Sequence, residues 1–287
     1  MAGTTTADIN DLLPQIVAEA QYQAEERSIM RGLVKNFVIP PGNGKTLTVP
    51  VWDKMTAATW TEGNEIPNST ATTAGVTLTV EPIALRTLAT DFAVQSAATN
   101  VVADLGKLFG EAIARQIDKD LTSKFASFTT NVVGSSTSTI TAADVFKAVT
   151  LLRRQGVASD QIACVLHPDI AYDLKAALTT SGNTPYTAGA YSEVSNEAMR
   201  MGYVGMLAGV PVFETSNMAN TGTAGDYKGG VFMRDALALA VMRDISIETQ
   251  RRASYAGTDI VATAYYATGV IQEAYGVQMF FDSFYIA

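Results

Sequence analysis

The stretch Asn100 to Phe128, NVVADLGKLFGEAIARQIDKDLTSKFASF, limits what this chain can fold into more than any other. Val101, Leu105, Leu108, Phe109, Ala112, Ile113, Ile117, Leu121, Phe125 and Phe128 recur at steps of three and four. That spacing places them on one face of a helix. Asp104, Lys107, Glu111, Arg115, Asp118 and Lys119 fall mostly on the other side. Glu111 and Arg115, and then Asp120 and Lys124, are acid-before-base pairs four apart, the orientation that supports a helix. Helical throughout, the stretch would span about 40 Å at ~1.5 Å per residue, well beyond an average helix. Gly106 and Gly110 each cost about 1 kcal/mol there relative to Ala, so packing must hold it. A rod this long and apolar on one side predicts a girder under a sheet, not a helix inside a core.

At 287 residues and 47% hydrophobic, the chain can bury one large core or two modest ones and is too apolar for disorder. Its net charge is −8 and no long segment is net basic. Tight binding to a phosphate backbone needs clustered Lys and Arg, so no tight nucleic-acid site is expected. Cys164 is the one cysteine, in the apolar run Ile162 to Leu166. It predicts a small buried hydrophobe and a chain made in a reducing compartment. The start, MAGTTTADINDLL, has no basic region followed by an apolar one and does not read as a signal peptide. The most apolar run, Ala236 to Met242, is far short of the roughly 20 residues a membrane span needs. No membrane partner is expected.

Leu12, Leu13, Ile16, Val17 and Ala20 keep helical spacing and predict a first helix inside an arm over residues 8–36. Asp8 or Asp11 would cap it, with Pro14 in its first turn. Phe37 to Ile39 is extended. Thr46 to Trp52 and Gly75 to Val80 alternate as half-exposed strands do, joined by the polar stretch ATWTEGNEIPNSTATTA. Two such strands with a long tip and few large apolar residues bury little by themselves. They predict a hairpin that reaches away from the body and rests on another subunit. Glu81 to Val94 leads by an extended segment to the long helix. Thr129 to Thr139 is a Ser, Thr and Gly loop marking a boundary.

Beyond it helices and strands alternate. Thr141 caps the helix that Gly156 stops, and Ile162 to Leu166 is a short buried strand. Pro168 opens a helix over Ile170 to Leu178, and a loop runs from Thr179 to Tyr191. The run Ser216 to Gly230 reads as a second loop, before strands at Val231 to Met233 and Leu237 to Met242. The remainder is mostly strand, at Ile245 to Glu248, Asp259 to Tyr266 and Gly269 to Met279, punctuated by Gly257 and Gly269.

Catalytic patterns are scarce. Gly42-Asn43-Gly44-Lys45-Thr46 fails as a phosphate loop, because Ile39 stands where the first glycine belongs and a strand follows. It reads as the turn entering the hairpin. His167 is the one histidine, so a Ser-His-Asp arrangement would have to use it, and no GxSxG elbow is present. Its place between strand and Pro-led helix suits a turn residue. Arg251-Arg252-Ala253-Ser254 reads as solvated charge at a strand end, and Tyr265-Tyr266 and Phe280-Phe281 as packing. No cofactor or metal is implied. The pattern is that of a building block.

At these residues the chain resembles the major capsid proteins of tailed bacteriophages with the Hong Kong 97-type fold. Ala58-Thr59-Trp60-Thr61-Glu62-Gly63, then Ile66-Pro67, is similar to the A-x-W-x-E-G element of that family's extended loop. The long helix is similar to its spine helix, and Val165-Leu166-His167-Pro168 to its strand-to-helix step. Leu207 to Val212 with Ser216 and Met218 resembles L-x-G-x-P-V-x-x-S-x-x-M. Gly229 to Glu248 resembles the strands that follow it. Ala89 to Asn100 departs from the family in lacking its serine-containing signature.

The resemblance implies an α+β Hong Kong 97-like capsid fold. Its parts would be an N-terminal arm (1–36), an extended β-hairpin loop (37–82), a peripheral domain with the spine helix (83–140) and an axial domain (141–242). Strands over 243–287 would be shared between the last two. It implies self-assembly as pentamers and hexamers into an icosahedral shell, in the virion and, during assembly, in the host cytoplasm. Partners would be a portal and a separate scaffolding protein, since the N-terminus leaves little room for a fused one. Packaged double-stranded DNA would be touched weakly and without sequence preference. Trp52, Trp60, Glu62, Gly63 and Ile66 are the candidate assembly contacts. An encapsulin-like nanocompartment is the rival within the fold, and a hydrolase using His167 the rival outside it.

Overall fold

The structure is a computed structural model that describes residues 28–284 apart from 41, 43, 53, 67, 97–100, 158–160, 181–202 and 222–224. The first helix expected near residues 12–20, its candidate caps, and residues 181–191 of the expected loop lie outside the described residues. The elements run α1 (Ile29–Leu33), β1 (Lys35–Val38), β2 (Thr46–Trp52), β3 (Thr73–Thr79), β4 (Glu81–Thr90), α2 (Asp91–Ser96) and α3 (Val101–Ser123). A 3-10 turn, Lys124–Ser127, and β5 (Val132–Ser135) lead to α4 (Ala142–Arg154), β6 (Ile162–Leu166), α5 (Pro168–Thr180), β7 (Tyr203–Leu207) and β8 (Val210–Glu214). Then come β9 (Asp226–Met233), β10 (Leu237–Arg252), β11 (Gly257–Val270) and β12 (Gly276–Asp282).

The long amphipathic stretch forms α3, about 35 Å long at ~1.5 Å per residue. Phe109, Ile113, Ile117 and Leu121 are buried against a four-stranded sheet of order β1-β10-β11-β4. From that sheet Leu237, Leu239, Ile245, Ile247, Ile260 and Ala262 meet the helix. Alternate residues of the same strands face the other way. Ala238, Ala240 and Ala267 there pack with Ile39 and Leu78 beneath the base of the β2–β3 hairpin. Alanines on this face let the hairpin approach closely. Gly269, the last residue but one of β11, belongs to that contact, because a Cβ there would stand 2.3 Å from Leu78 Cδ2.

Asp118 departs from the sequence expectation. It lies one residue after Ile117 on the apolar side of α3 and is fully buried. Its carboxylate accepts hydrogen bonds from Ser28 Oγ (2.7 Å), the Ile29 and Met30 amides (both 3.3 Å) and Asn217 Nδ2 (3.5 Å). The opening turn of α1 thus finds its acceptor on another helix. Burial holds the carboxyl above the usual carboxylate range, against the pull of these donors. Asp118→Ala removes the shared acceptor of four donors, two of them on the buried residues Ser28 and Met30. It is expected to cost about 2–4 kcal/mol in urea unfolding and to release residues 28–34 to hydrogen exchange.

The second body is a six-stranded sheet of order β5-β12-β9-β6-β8-β7. Its core joins Val145, Val149 and Leu152 of α4 and Ile170 and Leu174 of α5 to β6, which is buried at every residue. Cys164 sits in that strand with its thiol pushed up to about 12 by burial, so it is no nucleophile. Thr141 begins α4 with Asp144 accepting from its amide (3.0 Å) and its hydroxyl (2.7 Å). Residues 226–230, expected in a loop, form the first half of β9. Glycine stands there because a Cβ at Gly229 would lie 2.7 Å from Val165 O, and one at Gly230 2.6 Å from the Phe125 ring. Phe125 also packs on Phe128 and Phe232, at ring separations of 6.3 and 5.4 Å, locking the end of α3 onto this sheet.

Candidate assembly surface

The hairpin tip has a built turn. Asn64 N–H donates to Thr61 O (3.2 Å), and Gly63 takes a φ of +91°. A turn with positive φ at its third residue favours glycine there, which gives the W-x-E-G spacing a physical cause. Trp60 folds over the turn, its indole N–H donating to Asn64 O at 2.6 Å. The structure therefore brings Trp60, Glu62 and Gly63 together. Ile66 follows just beyond, whereas Trp52 stands at the end of β2, paired with Thr73 across the hairpin. Every described residue from 55 to 75 is exposed, including Trp60 at 48%, Trp52 at 65% and Ile66 at 70%. Large apolar side chains are thus left exposed along the projecting hairpin, which makes it the candidate interaction surface. Met55, 58% exposed, and Asn64 belong to it, and no motif singled them out.

Groups read as possible chemistry are occupied otherwise. His167 stacks on Tyr227 (3.6 Å, 6°), and its Nδ1 lies 3.1 Å from Asp169 Oδ2. Desolvation lowers its pKa, partly opposed by Asp169. Among the described residues no cluster of three or more His, Cys, Asp or Glu is placed to hold a metal ion. The Arg251-Arg252 pair is not merely solvated. Arg251 grips Asp91 with two hydrogen bonds (2.5 and 2.6 Å), and Arg252 reaches Asp259 Oδ2 (2.5 Å), the same oxygen that Arg86 meets at 2.8 Å. Tyr266 is buried with its hydroxyl on Asp120 (2.6 Å). No described helix is long and apolar enough to cross a membrane.

A long helix under one sheet, a second mixed sheet and a stalked hairpin make up the α+β fold of Hong Kong 97-like capsid subunits. The chain belongs to the phage capsid family, whose sequence model matches residues 11–275. It is a major capsid protein, a structural component of the virion. Among solved structures it is similar to the capsid of the cyanophage P-SCSP1u, with a TM-score of 0.70 at 15% identity, covering 89% of this chain and 88% of that one. It is also similar to the capsid of a native GTA particle (TM-score 0.68, 13% identity, 90% and 91% covered). The mature capsid of bacteriophage PhiM1 is a third likeness (TM-score 0.65, 14% identity, 88% and 87% covered). No curated protein matches the sequence significantly.

Proposed function

We propose that copies of this chain join as pentamers and hexamers into the icosahedral shell that encloses the double-stranded DNA of a tailed bacteriophage. The observation that carries this reading is the hairpin tip. It is ordered by its own Trp60–Asn64 bond, yet it exposes Trp60, Ile66 and Met55. A neighbouring subunit would bury them, with Trp60 as anchor, since aromatic residues dominate interface hot spots. Trp52, Glu62 and Gly63 complete the contact, Gly63 by shaping the turn.

In this reading the four-stranded sheet with α3 is the peripheral domain, and the six-stranded sheet with α4 and α5 is the axial domain. The 243–287 stretch serves both, as most of β10 and all of β11 pair in the first sheet and β12 in the second. However, β10 already begins at Leu237 and β5 joins the second sheet, which moves the expected boundaries at 242 and 140. The protein works by assembling and not by catalysis. Its partners are its own copies, a separate scaffolding protein and a portal, and it assembles in the host cytoplasm. The net charge of −8 suits a wall that contains DNA without gripping it, since a strongly basic lining would impede packaging and release. Shells recovered from infected cells are expected to protect double-stranded DNA from nuclease. Shells filled with a cargo protein instead would overturn the assignment.

A further inference from the structure

Helix α4 ends in a Schellman motif. Gly156 takes the left-handed position (φ +79°), its N–H donates to Arg153 O (2.9 Å), and Val157 N–H donates to Leu152 O (3.4 Å). The carbonyl of Gln155, the C-cap residue, accepts a hydrogen bond from Lys54 Nζ. The same ammonium lies 5.5 Å from the centre of the Tyr275 ring. Two attractions of different origin meet on one side chain, the negative end of a helix and the electron-rich face of a phenol ring. Lys54 follows just after β2, whose base packs on the four-stranded sheet, whereas α4 and Tyr275 pack with the six-stranded sheet. From residue 55 to residue 75 every described residue is exposed.

We propose that Lys54 is a positioning residue, which clasps the root of the hairpin tip to the axial side of its own subunit and so fixes the direction in which the tip leaves for its neighbour. This rests on the reading that the tip is an assembly contact. A tip tethered only at the hairpin strands sweeps a wider volume, and its effective concentration at the neighbouring surface falls. The clasp narrows that search within each subunit before any partner arrives.

The test is shell assembly by Lys54→Met, which keeps the aliphatic stem and removes the charge and the donor, beside Lys54→Arg, which keeps both. Lys54→Met is expected to assemble about tenfold more slowly or worse, the factor that corresponds to losing a contact of modest strength. Its Tm should match the parent's, and chymotrypsin should cut unassembled subunits faster at Trp60. Lys54→Arg is expected to restore most of the assembly rate. Parental assembly and cleavage rates in Lys54→Met would overturn the proposal. So would a fall in assembly that tracks a fall in Tm and is not rescued by Lys54→Arg. Normal shells from a chain without its tip would refute the tip's role instead, and the two failures are therefore distinguishable.

Discussion

A chain lacking residues 58–70 is expected to fold and to close no shells. The deleted residues give the subunit almost nothing of its own. Those described are all exposed, and the one bond made by Trp60 ends on Asn64, inside the deletion. The stabilising part of the hairpin stays, with Leu78 buried and Leu47, Val49 and Val76 half-buried over Ala238 and Ala240. Thermal unfolding should therefore shift little. Assembly should collapse, because an aromatic anchor at the centre of an interface is worth about 2 kcal/mol or more. Losing one such anchor weakens a single contact by about thirtyfold, and a shell repeats the loss at every subunit. Sedimentation of the assembled fraction reads the effect, and Trp60→Ala provides the gentler version should the deletion disturb the hairpin. Shells formed at the parental yield by both variants would remove the tip from the account.

Gly276→Ala should damage the fold itself. A Cβ at position 276 would stand 2.3 Å from two atoms of the Phe128 ring, and Phe128 is fully buried. The ring has little room to retreat, since Phe125 packs beside it and Phe232 lies beyond. The strand cannot easily shift either, being paired on one side with β5 and on the other with β9. Forced overpacking of this kind costs about 3 kcal/mol. The loss should fall on the junction between α3 and the six-stranded sheet, giving a lowered urea midpoint and faster exchange in β12. Gly32→Ala is the control, because a Cβ there meets nothing within 4 Å and α1 gains a better helix former. Equal stability of the two variants would contradict the packing described for Phe128.

Elements whose pattern repeats locally were legible in the sequence. The three-and-four spacing of Phe109, Ile113, Ile117 and Leu121 sufficed for α3, the alternation of TLTVPVW for β2, and Thr141 with Gly156 for both ends of α4. The strand pairs at 237–242 and 245–248 are in fact one strand, β10. Arg243 and Asp244 interrupt the apolar pattern where the register slips, and a window a few residues wide reads the slip as a break. Asp118 was misplaced because its donors come from Ser28, Met30 and Asn217, roughly 90 or more residues away. Gly229 and Gly230 looked like loop residues because a close approach by Val165 and Phe125 leaves no local mark. At the candidate site the W-x-E-G element pointed to Trp60, Glu62 and Gly63. Lys54 was out of reach of any pattern, since only the folded chain brings it to Gln155 and Tyr275.

Negative-stain electron microscopy of the purified chain tests most directly whether this polypeptide places its exposed apolar surface against copies of itself. Curved or closed shells of uniform thickness are the predicted images. Single compact particles at every concentration, with residues 58–70 protected against their own subunit, would contradict the account.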